Sequence, residues 1–409
     1  MIIELNNPFF KQALPILEQI ESHGYEAYFV GGSVRDYLLS LEIHDIDIAT
    51  SATPEEIKSI FPVTIDVGIE HGTVIVRYQG ESYEITTFRV EGKYSDFRRP
   101  DKVDFVRNLE EDTLRRDFTI NALAIDKEGQ VYDYHGGMID LRNELIRAVG
   151  VPTERFNEDA LRMLRAIRFA SQLGFEIDET TMSAIQELAP LIEKIAMERI
   201  LIEFTKFLKG NFFRQQSHTL ITSRLYHYLP IPEYIEIDNL VAQLNHDFTP
   251  YEEKQVEKSD VLVWGSLLYH LGSRTEQEER QLMRQWKQSN EIIQQAMTFK
   301  ELRQMSLDEV LTPVHLYRYD SHLLKLLEEF YMNHGQLIEP LISKQLNQLP
   351  IQTRQEINMN GQQLMEILGM ERGGPILGQL IAEIELEIVN SKLANNYEEI
   401  KNYVQLKAL

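Results

Sequence analysis

The sequence predicts an α+β chain: a mixed-sheet head followed by an all-helical remainder in two or three packed groups. Three observations carry this. Runs rich in Val, Ile, Thr and Tyr stop near residue 145. Helical periodicity dominates from Asn157 onward. A chain of 409 residues exceeds what a single hydrophobic core ordinarily organises, so more than one domain is expected.

The first informative stretch is Tyr28-Phe29-Val30, an apolar run entering Gly31-Gly32, with Ser33 placed to cap a helix through Leu39. Glycines at such a junction let backbone N–H groups approach a phosphate chain, and a helix start favours negative charge. Arg35 adds a side-chain donor. Asp45 and Asp47 follow in His-Asp-Ile-Asp-Ile-Ala. Strand side chains alternate, so the two carboxylates share one face while Ile46 and Ile48 point into a core. Acids held that close repel, and a divalent cation relieves the repulsion. Magnesium suits the site because it prefers hard oxygen ligands and commonly joins one or two carboxylates to substrate phosphates. Alone, a Gly-Gly turn is an ordinary turn and an Asp-x-Asp is an ordinary solvated edge. Their order and spacing together read as a metal site for moving a nucleotide. The chain has neither the phosphate loop Gly-x-x-x-x-Gly-Lys-Ser/Thr nor the dinucleotide fingerprint Gly-x-Gly-x-x-Gly.

Further along, residues 72–78 and 82–89 are β-rich runs separated by Gln79-Gly80-Glu81, a hairpin on the same sheet. Glu91 to Lys102 is polar, contains a proline and has no period, which predicts a mobile loop. Arg115-Arg116-Asp117 then precedes the apolar, helix-like run Phe118 to Ala124. A guanidinium fork can hold two phosphate oxygens at once, although such a triplet serves equally as a surface salt bridge. Helix breaks are expected at Gly210-Asn211, Pro230 to Pro232, Pro313, Pro340 and Gly373-Gly374-Pro375. His246-Asp247 stands isolated and reads as surface.

The segment Glu158 to Phe169 holds the second constellation. At 100° per residue, Ala160, Met163, Leu164 and Ile167 share one face of a helix, while Asp159, Arg162, Arg165 and Arg168 step around the other. An exposed basic stripe accounts for this spacing as well as a binding face does. Base chemistry supports the second reading. Cytosine and adenine both present an exocyclic amine beside a ring-nitrogen acceptor, whereas uracil and guanine present a carbonyl beside an N–H. Asp159 and Arg162 together offer an acceptor beside a donor, matching C and A and mismatching U and G.

Composition sets broad limits. With no cysteine, disulfide-linked partners and thiolate metal sites are excluded. No apolar stretch approaches a membrane span and the N-terminus lacks signal-peptide character, so a cytoplasmic protein is expected. The net charge of −23 is spread along the whole chain and decides nothing about nucleic acid. Local arginine clusters at Arg98-Arg99, Arg115-Arg116 and Arg155 to Arg168 carry more weight.

The strand, Gly-Gly, helix, Asp-x-Asp arrangement resembles the nucleotidyltransferase superfamily of polymerase-beta-like enzymes. With Arg-Arg-Asp-Phe-Thr-Ile-Asn-Ala and Glu-Asp-Ala-Leu-Arg-Met-Leu-Arg-Ala-Ile-Arg-Phe following in order, the chain more narrowly resembles the class II CCA-adding tRNA nucleotidyltransferases. The resemblance implies a catalytic head over residues 1–148, a helical neck over 149–208, a helical body over 209–310 and a tRNA-binding helical tail over 311–409. It also implies template-independent addition of C, C and A to tRNA 3′ ends from CTP and ATP. Family roles fall on Asp45 and Asp47 for magnesium and catalysis. Nucleotide contact falls on Gly32, Arg35 and Arg116, template-like base selection on Asp159 and Arg162, and phosphate contact or orientation of the site on Arg165 and Arg168. In the family the loop before the Arg-Arg-Asp motif is needed for the switch from C to A, and residues 91–102 supply one of full length. The alternatives are an enzyme adding A only, a poly(A) polymerase, and a non-catalytic RNA-binding protein on the same scaffold.

Overall fold

A central strand carrying Asp47 organises the N-terminal part of the chain. The computed structural model describes residues 1–68, 72–92, 103–272 and 275–407, so residues 93–102 of the loop expected at Glu91 to Lys102 lie outside the described residues. The chain divides into two compact units, Met1–Asn245 with Arg284–Lys287, and His246–Met283 with Gln288–Leu409.

In the first unit, helix α1 (Pro8–Ser22) is capped by the Asn7 side chain, which accepts from Phe9 N–H. It buries Phe10, Ala13, Ile16, Leu17 and Ile20, and Phe10 meets Phe29 edge-on at 4.8 Å. Strand β1 (Ala27–Val30) leads into helix α2 (Gly32–Leu38), and β2 (Asp47–Thr50) into α3 (Pro54–Ile60), whose start carries a capping box of Thr53 and Glu56. Three strands follow: β3 (Thr64–Gly68), β4 (Thr73–Tyr78) and β5 (Glu81–Thr87). The turn between β4 and β5 has positive φ at Gln79 and Gly80, the twist that closes a tight hairpin. A short antiparallel pair, β6 (Arg89–Glu91) and β7 (Val103–Phe105), precedes α4 (Leu109–Leu114). Strands β8 (Ala124–Ile125) and β9 (Val131–Tyr132) complete a seven-stranded sheet of order β3-β4-β5-β2-β1-β8-β9. It is mixed: β2 runs parallel to β5 and antiparallel to β1. The α+β expectation therefore holds.

Two local expectations differ from the structure. Ser33 is not the cap of α2; Gly31 occupies that position at φ +74°, and the Ser33 hydroxyl donates to Val30 C=O at 3.1 Å. The run after Arg116 is not a helix. Thr119–Asn121 makes a single 3-10 turn and the chain then enters β8, because Thr119 N–H is taken by Arg147 C=O and Gly137 packs against Thr119 C=O, where a Cβ would come within 2.3 Å.

Beyond the sheet come α5 (Gly137–Arg142), α6 (Pro152–Glu158), α7 (Leu161–Leu173), α8 (Glu179–Leu188) and α9 (Met197–Lys209), with one small parallel strand pair at 145–146 and 176–177. The amphipathic period predicted for α7 is present: Met163, Leu164 and Ile167 are buried, and α7 packs on α9.

The second unit is helical among its described residues. One apolar cluster gathers Leu262, Phe299, Leu327 and Ile342, another Ile351, Leu364, Ile388 and Ile400. The proline and glycine breaks fall as expected: Pro313 and Pro375 open helices and Pro340 precedes one. The reading of His246-Asp247 as surface requires correction. His246 is exposed, but Asp247 is buried, accepting from Arg303 at 2.7 and 3.1 Å and lying 2.9 Å from His270 Nε2. No helix among the described residues is long and apolar enough to cross a membrane.

Candidate active site

The site is built at the centre of the sheet. Antiparallel pairing places Val30 opposite Asp47, so the turn at Gly31 meets the first residue of β2. A Cβ on Gly31 would stand 3.2 Å from Asp47 Oδ2 and 3.6 Å from Arg116 Nη1. Glycine is required there both for its positive φ and for that approach. Ile46 and Ile48 are buried as the alternation predicts, while Asp45 lies just ahead of β2 and is exposed.

A third carboxylate joins them. The parallel register sets Glu84 beside Asp47. Burial, then the charges of Asp45 and Glu84, push the Asp47 carboxyl up to about 6, against the opposing pull of Arg116. Glu84 and Asp117 are the two further carboxylates that the sequence offers for this part, and the structure separates them. Asp117 Oδ1 accepts from Phe118 N–H and Asn121 Nδ2, and its Oδ2 accepts from Arg165 Nε and Nη2 at 2.8 and 2.6 Å. Although burial alone would raise it, Arg165 and these hydrogen bonds hold Asp117 well below the usual carboxylate range. It is a buried counter-charge for an arginine.

Asp45, Asp47 and Glu84 are hard oxygen donors close enough for their charges to act on one another, a chemistry that suits a divalent cation, although their oxygens do not converge on one point in this structure. Among the described residues the group whose three ligating atoms do lie within 4.8 Å of one another is His246, Asp247 and His334, in the other unit. There the Asp247 oxygens already face a guanidinium, which competes with a cation.

The remaining predicted residues are held by partners. Arg35 is buried, with Nε and Nη2 on the Asp36 carboxylate, Nη1 on Asn121 Oδ1 at 2.6 Å, and the Phe169 ring 4.9 Å away. Its Nη2 would lie 3.7 Å from a Cβ on Gly32. Arg116 donates to Asp112 and to Asn121 C=O, and its buried Nε has no hydrogen-bond partner among the described residues. Burial lowers its pKa.

Asp159 is not on the helix with the arginines. It is an extended residue at φ −139°, ψ 103° between α6 and α7, and its Oδ1 accepts from Leu161 N–H at 3.1 Å. Arg162 follows one turn later, its backbone N–H bonded to Asp159 C=O. Their side chains do not pair: Asp159 is forked by Arg199, while Arg162 reaches Glu158 Oε2 at 2.8 Å and Arg115 C=O at 2.7 Å. Arg165 meets Asp117 and Glu203, and Arg168 meets Glu203 at 2.7 Å and lies over the Phe169 ring at 3.6 Å. Burial lowers Arg168 to about 10. Arg162 and Arg168 are each 8% exposed, so the exposed basic stripe is excluded.

Three family models match the chain: the Poly A polymerase head domain over residues 27–147, the RNA and SrmB-binding site of polymerase A over 174–236, and tRNA nucleotidyltransferase domain 2 over 255–404. The CCA-adding enzyme of Streptococcus suis is 43% identical over 408 residues, covering 98% of each chain. The chain belongs to the CCA-adding enzyme family. Another member, from Enterococcus faecalis, is 45% identical over 97% of this chain and 96% of its own. The crystal structure of the Bacillus stearothermophilus CCA-adding enzyme in complex with CTP superimposes with a TM-score of 0.86 at 36% identity, covering 98% of both chains. As a member of the CCA-adding family, the protein is an enzyme, a nucleotidyltransferase.

Proposed function

We propose that this enzyme adds C, C and A to the 3′ end of tRNA, using CTP and ATP and no nucleic-acid template. The observation that carries this is the pairing of two sites in one unit. A carboxylate group with Gly31 and Arg116 suits phosphoryl transfer, and a fixed acceptor and donor, Asp159 and Arg162, suit C and A. Whole-length similarity to CCA-adding enzymes favours this reading over A-only addition, poly(A) synthesis and a non-catalytic role.

In the mechanism, Asp45 and Asp47, with Glu84 beside them, would hold magnesium. The ion would supply Lewis acidity for deprotonating the tRNA 3′-hydroxyl and charge compensation at the α-phosphate, with pyrophosphate as the leaving group. The Gly31-Gly32 backbone lets the triphosphate approach, and Arg116 Nε is a donor left for it. Arg35 supports the same wall through Asn121. Asp159 accepts from the exocyclic amine of the base and Arg162 donates to its ring nitrogen. Arg165 and Arg168, committed to Asp117 and Glu203, orient this face. The division into head, neck, body and tail follows the family, with the helical second unit binding tRNA. A tRNA substrate implies a cytoplasmic enzyme.

The test is tRNA lacking its 3′ end, magnesium and labelled nucleotides. CTP alone should extend it by two residues, and CTP with ATP by three. A ladder of A would identify a poly(A) polymerase, and extension only of CC-ended tRNA an A-adding enzyme. Binding without extension would leave the scaffold non-catalytic. Deleting the loop at residues 91–102 should leave CC addition and lose the terminal A.

A further inference from the structure

We propose that His246, Asp247 and His334, in the second unit, form a binding site for one borderline transition metal ion, of the zinc and cobalt class. These residues take no part in the reaction proposed above. An ion held by them ties the helix Ile237–Glu253, which carries His246 and Asp247, to the end of the helix Ser321–Asn333, where His334 is the cap.

One ligating atom from each residue lies within 4.8 Å of the others. Ligands bound to zinc at about 2.0–2.1 Å in a tetrahedron stand roughly 3.4 Å apart, so small side-chain rotations close this set on an ion. His246 Nδ1 is 3.8 Å from Asp247 Oδ1, too far for a hydrogen bond and near the separation of two ligands on one metal. His334 is prepared by its other ring nitrogen. Nδ1 donates to Phe330 C=O at 2.7 Å, which keeps the proton there and the lone pair on Nε2. That Nε2 is buried and has no hydrogen-bond partner among the described residues. A buried acceptor without a donor is costly, and a bond to an ion satisfies it. The backbone beside it is held as well. Lys254, just past the end of the first helix, donates to the carbonyls of Met332 and Asn333, so the two helices are joined before any ion arrives.

The chemistry of the set chooses the metal. Asp247 Oδ2 accepts from Arg303 Nη1 and His270 Nε2, whereas Oδ1, the oxygen beside His246, accepts from Arg303 Nη2 at 3.1 Å and keeps a lone pair. Arg303 offsets the carboxylate charge, so a hard, strongly hydrated ion such as magnesium gains little there. Imidazole nitrogens suit zinc, cobalt and nickel, whose bonds to them do not depend on net charge. With no cysteine in the chain, no thiolate site competes for such an ion. His246 is exposed, which gives the ion a way in, and three protein ligands leave a fourth position to water.

The experiment titrates zinc into the metal-stripped full-length protein against a chromogenic chelator, with magnesium in large excess. The proteins are wild type, Asp47→Asn, His246→Ala, His334→Ala and His322→Ala, the last removing an exposed histidine from the helix that His334 caps. Wild type, Asp47→Asn and His322→Ala should share one zinc site per chain of the same affinity. Outer partners of a metal are worth about 10–100-fold in affinity and a ligand at least as much, so His246→Ala and His334→Ala should weaken that site about tenfold or more. Cobalt in place of zinc should give wild type the visible absorption of a four-coordinate ion, and His246→Ala should lose it. Zinc should raise the melting temperature of wild type and leave that of His246→Ala unchanged. Absence of a zinc site in wild type, its loss in Asp47→Asn, or equal zinc binding in all the histidine variants would overturn the proposal. Should His334→Ala fail to fold by circular dichroism, His246→Ala, which alters an exposed side chain, decides: weakened binding supports the site and unchanged binding overturns it.

Discussion

Replacing Asp47 with asparagine should make the protein more stable and inactive at once. Burial, with Asp45 and Glu84, lifts the Asp47 carboxyl from 3.8 to about 6. Below pH 3.8 it is neutral folded and unfolded, and the position carries no penalty. Between 3.8 and about 6 the folded chain keeps a proton that the unfolded chain releases, so stability falls as pH rises; above about 6 the loss is complete. Each pH unit between the two values is worth about 1.4 kcal/mol, which gives about 3 kcal/mol at pH 8. Asparagine keeps the shape and removes the charge. At about 2–4 °C per kcal/mol for a unit of this size, the variant should melt several degrees above wild type in EDTA at pH 8, with the gap closing toward pH 4. Magnesium should then raise the melting temperature of wild type and leave the variant unchanged. Thermal unfolding by circular dichroism across pH 4 to 8, with and without magnesium, reads all of this. A variant no more stable at pH 8, or a gap that does not change with pH, would refute the picture of a charged, half-buried Asp47 that Arg116 offsets only in part.

Other perturbations test separate parts of the site. Glu84→Gln should raise the magnesium concentration for half-maximal incorporation by about tenfold, and an unchanged titration would remove Glu84 from the donor set. Gly31→Ala places a methyl 3.2 Å from Asp47 Oδ2 at a positive φ, so kcat should fall at least about tenfold in a protein whose circular dichroism is unchanged. Asp117→Ala strips Arg165 of its main partner and should cost about 3–5 kcal/mol in denaturant unfolding. Because Asp117 is held below its ordinary value, its stabilisation is present above pH 3.8 and is lost as pH falls below it, so the gap between variant and wild type should narrow in acid.

What was legible in the sequence is what short-range geometry dictates. Alternation put Ile46 and Ile48 in the core, although the strand itself begins only at Asp47 and Asp45 lies ahead of it, and the helical period of α7 survives intact. Gln79-Gly80 makes the predicted tight turn. The misreadings came from contacts made at long range. Phe118 to Ala124 has a helix-like apolar pattern, yet Arg147 C=O and Gly137 bend it into a turn and a strand. Glu84 reaches Asp47 through parallel pairing of strands far apart in sequence, which no local pattern encodes. Arg199 was invisible for the same reason: forty residues separate it from Asp159. The helical period set Asp159 on one helix with Arg162, but α6 ends before the aspartate, which lies between helices, and each side chain finds a different partner.

The partners of these arginines explain how a chain of net charge −23 can serve a polyanionic substrate without contradiction. Arg162 faces Glu158, Arg165 faces Asp117, Arg168 faces Glu203 and Arg199 faces Asp159. Each guanidinium in the selecting region is close to neutralised in place, so this face carries little excess charge to attract phosphate. It carries instead fixed directions of donation and acceptance, held by groups behind it, and direction separates cytosine from uracil where charge would not. At the centre of the sheet Glu84 stands beside Asp47, with Asp45 just ahead of β2, and Arg116 is the nearby guanidinium that opposes their effect on Asp47. The two chemistries demand opposite electrostatics. A transferring site gains from an imbalance that a cation completes, and a reading site gains from balance that leaves hydrogen-bond geometry to decide. Placing them on different elements, one on β2 and β5 and the other on the junction before α7, lets a single acidic chain meet both demands.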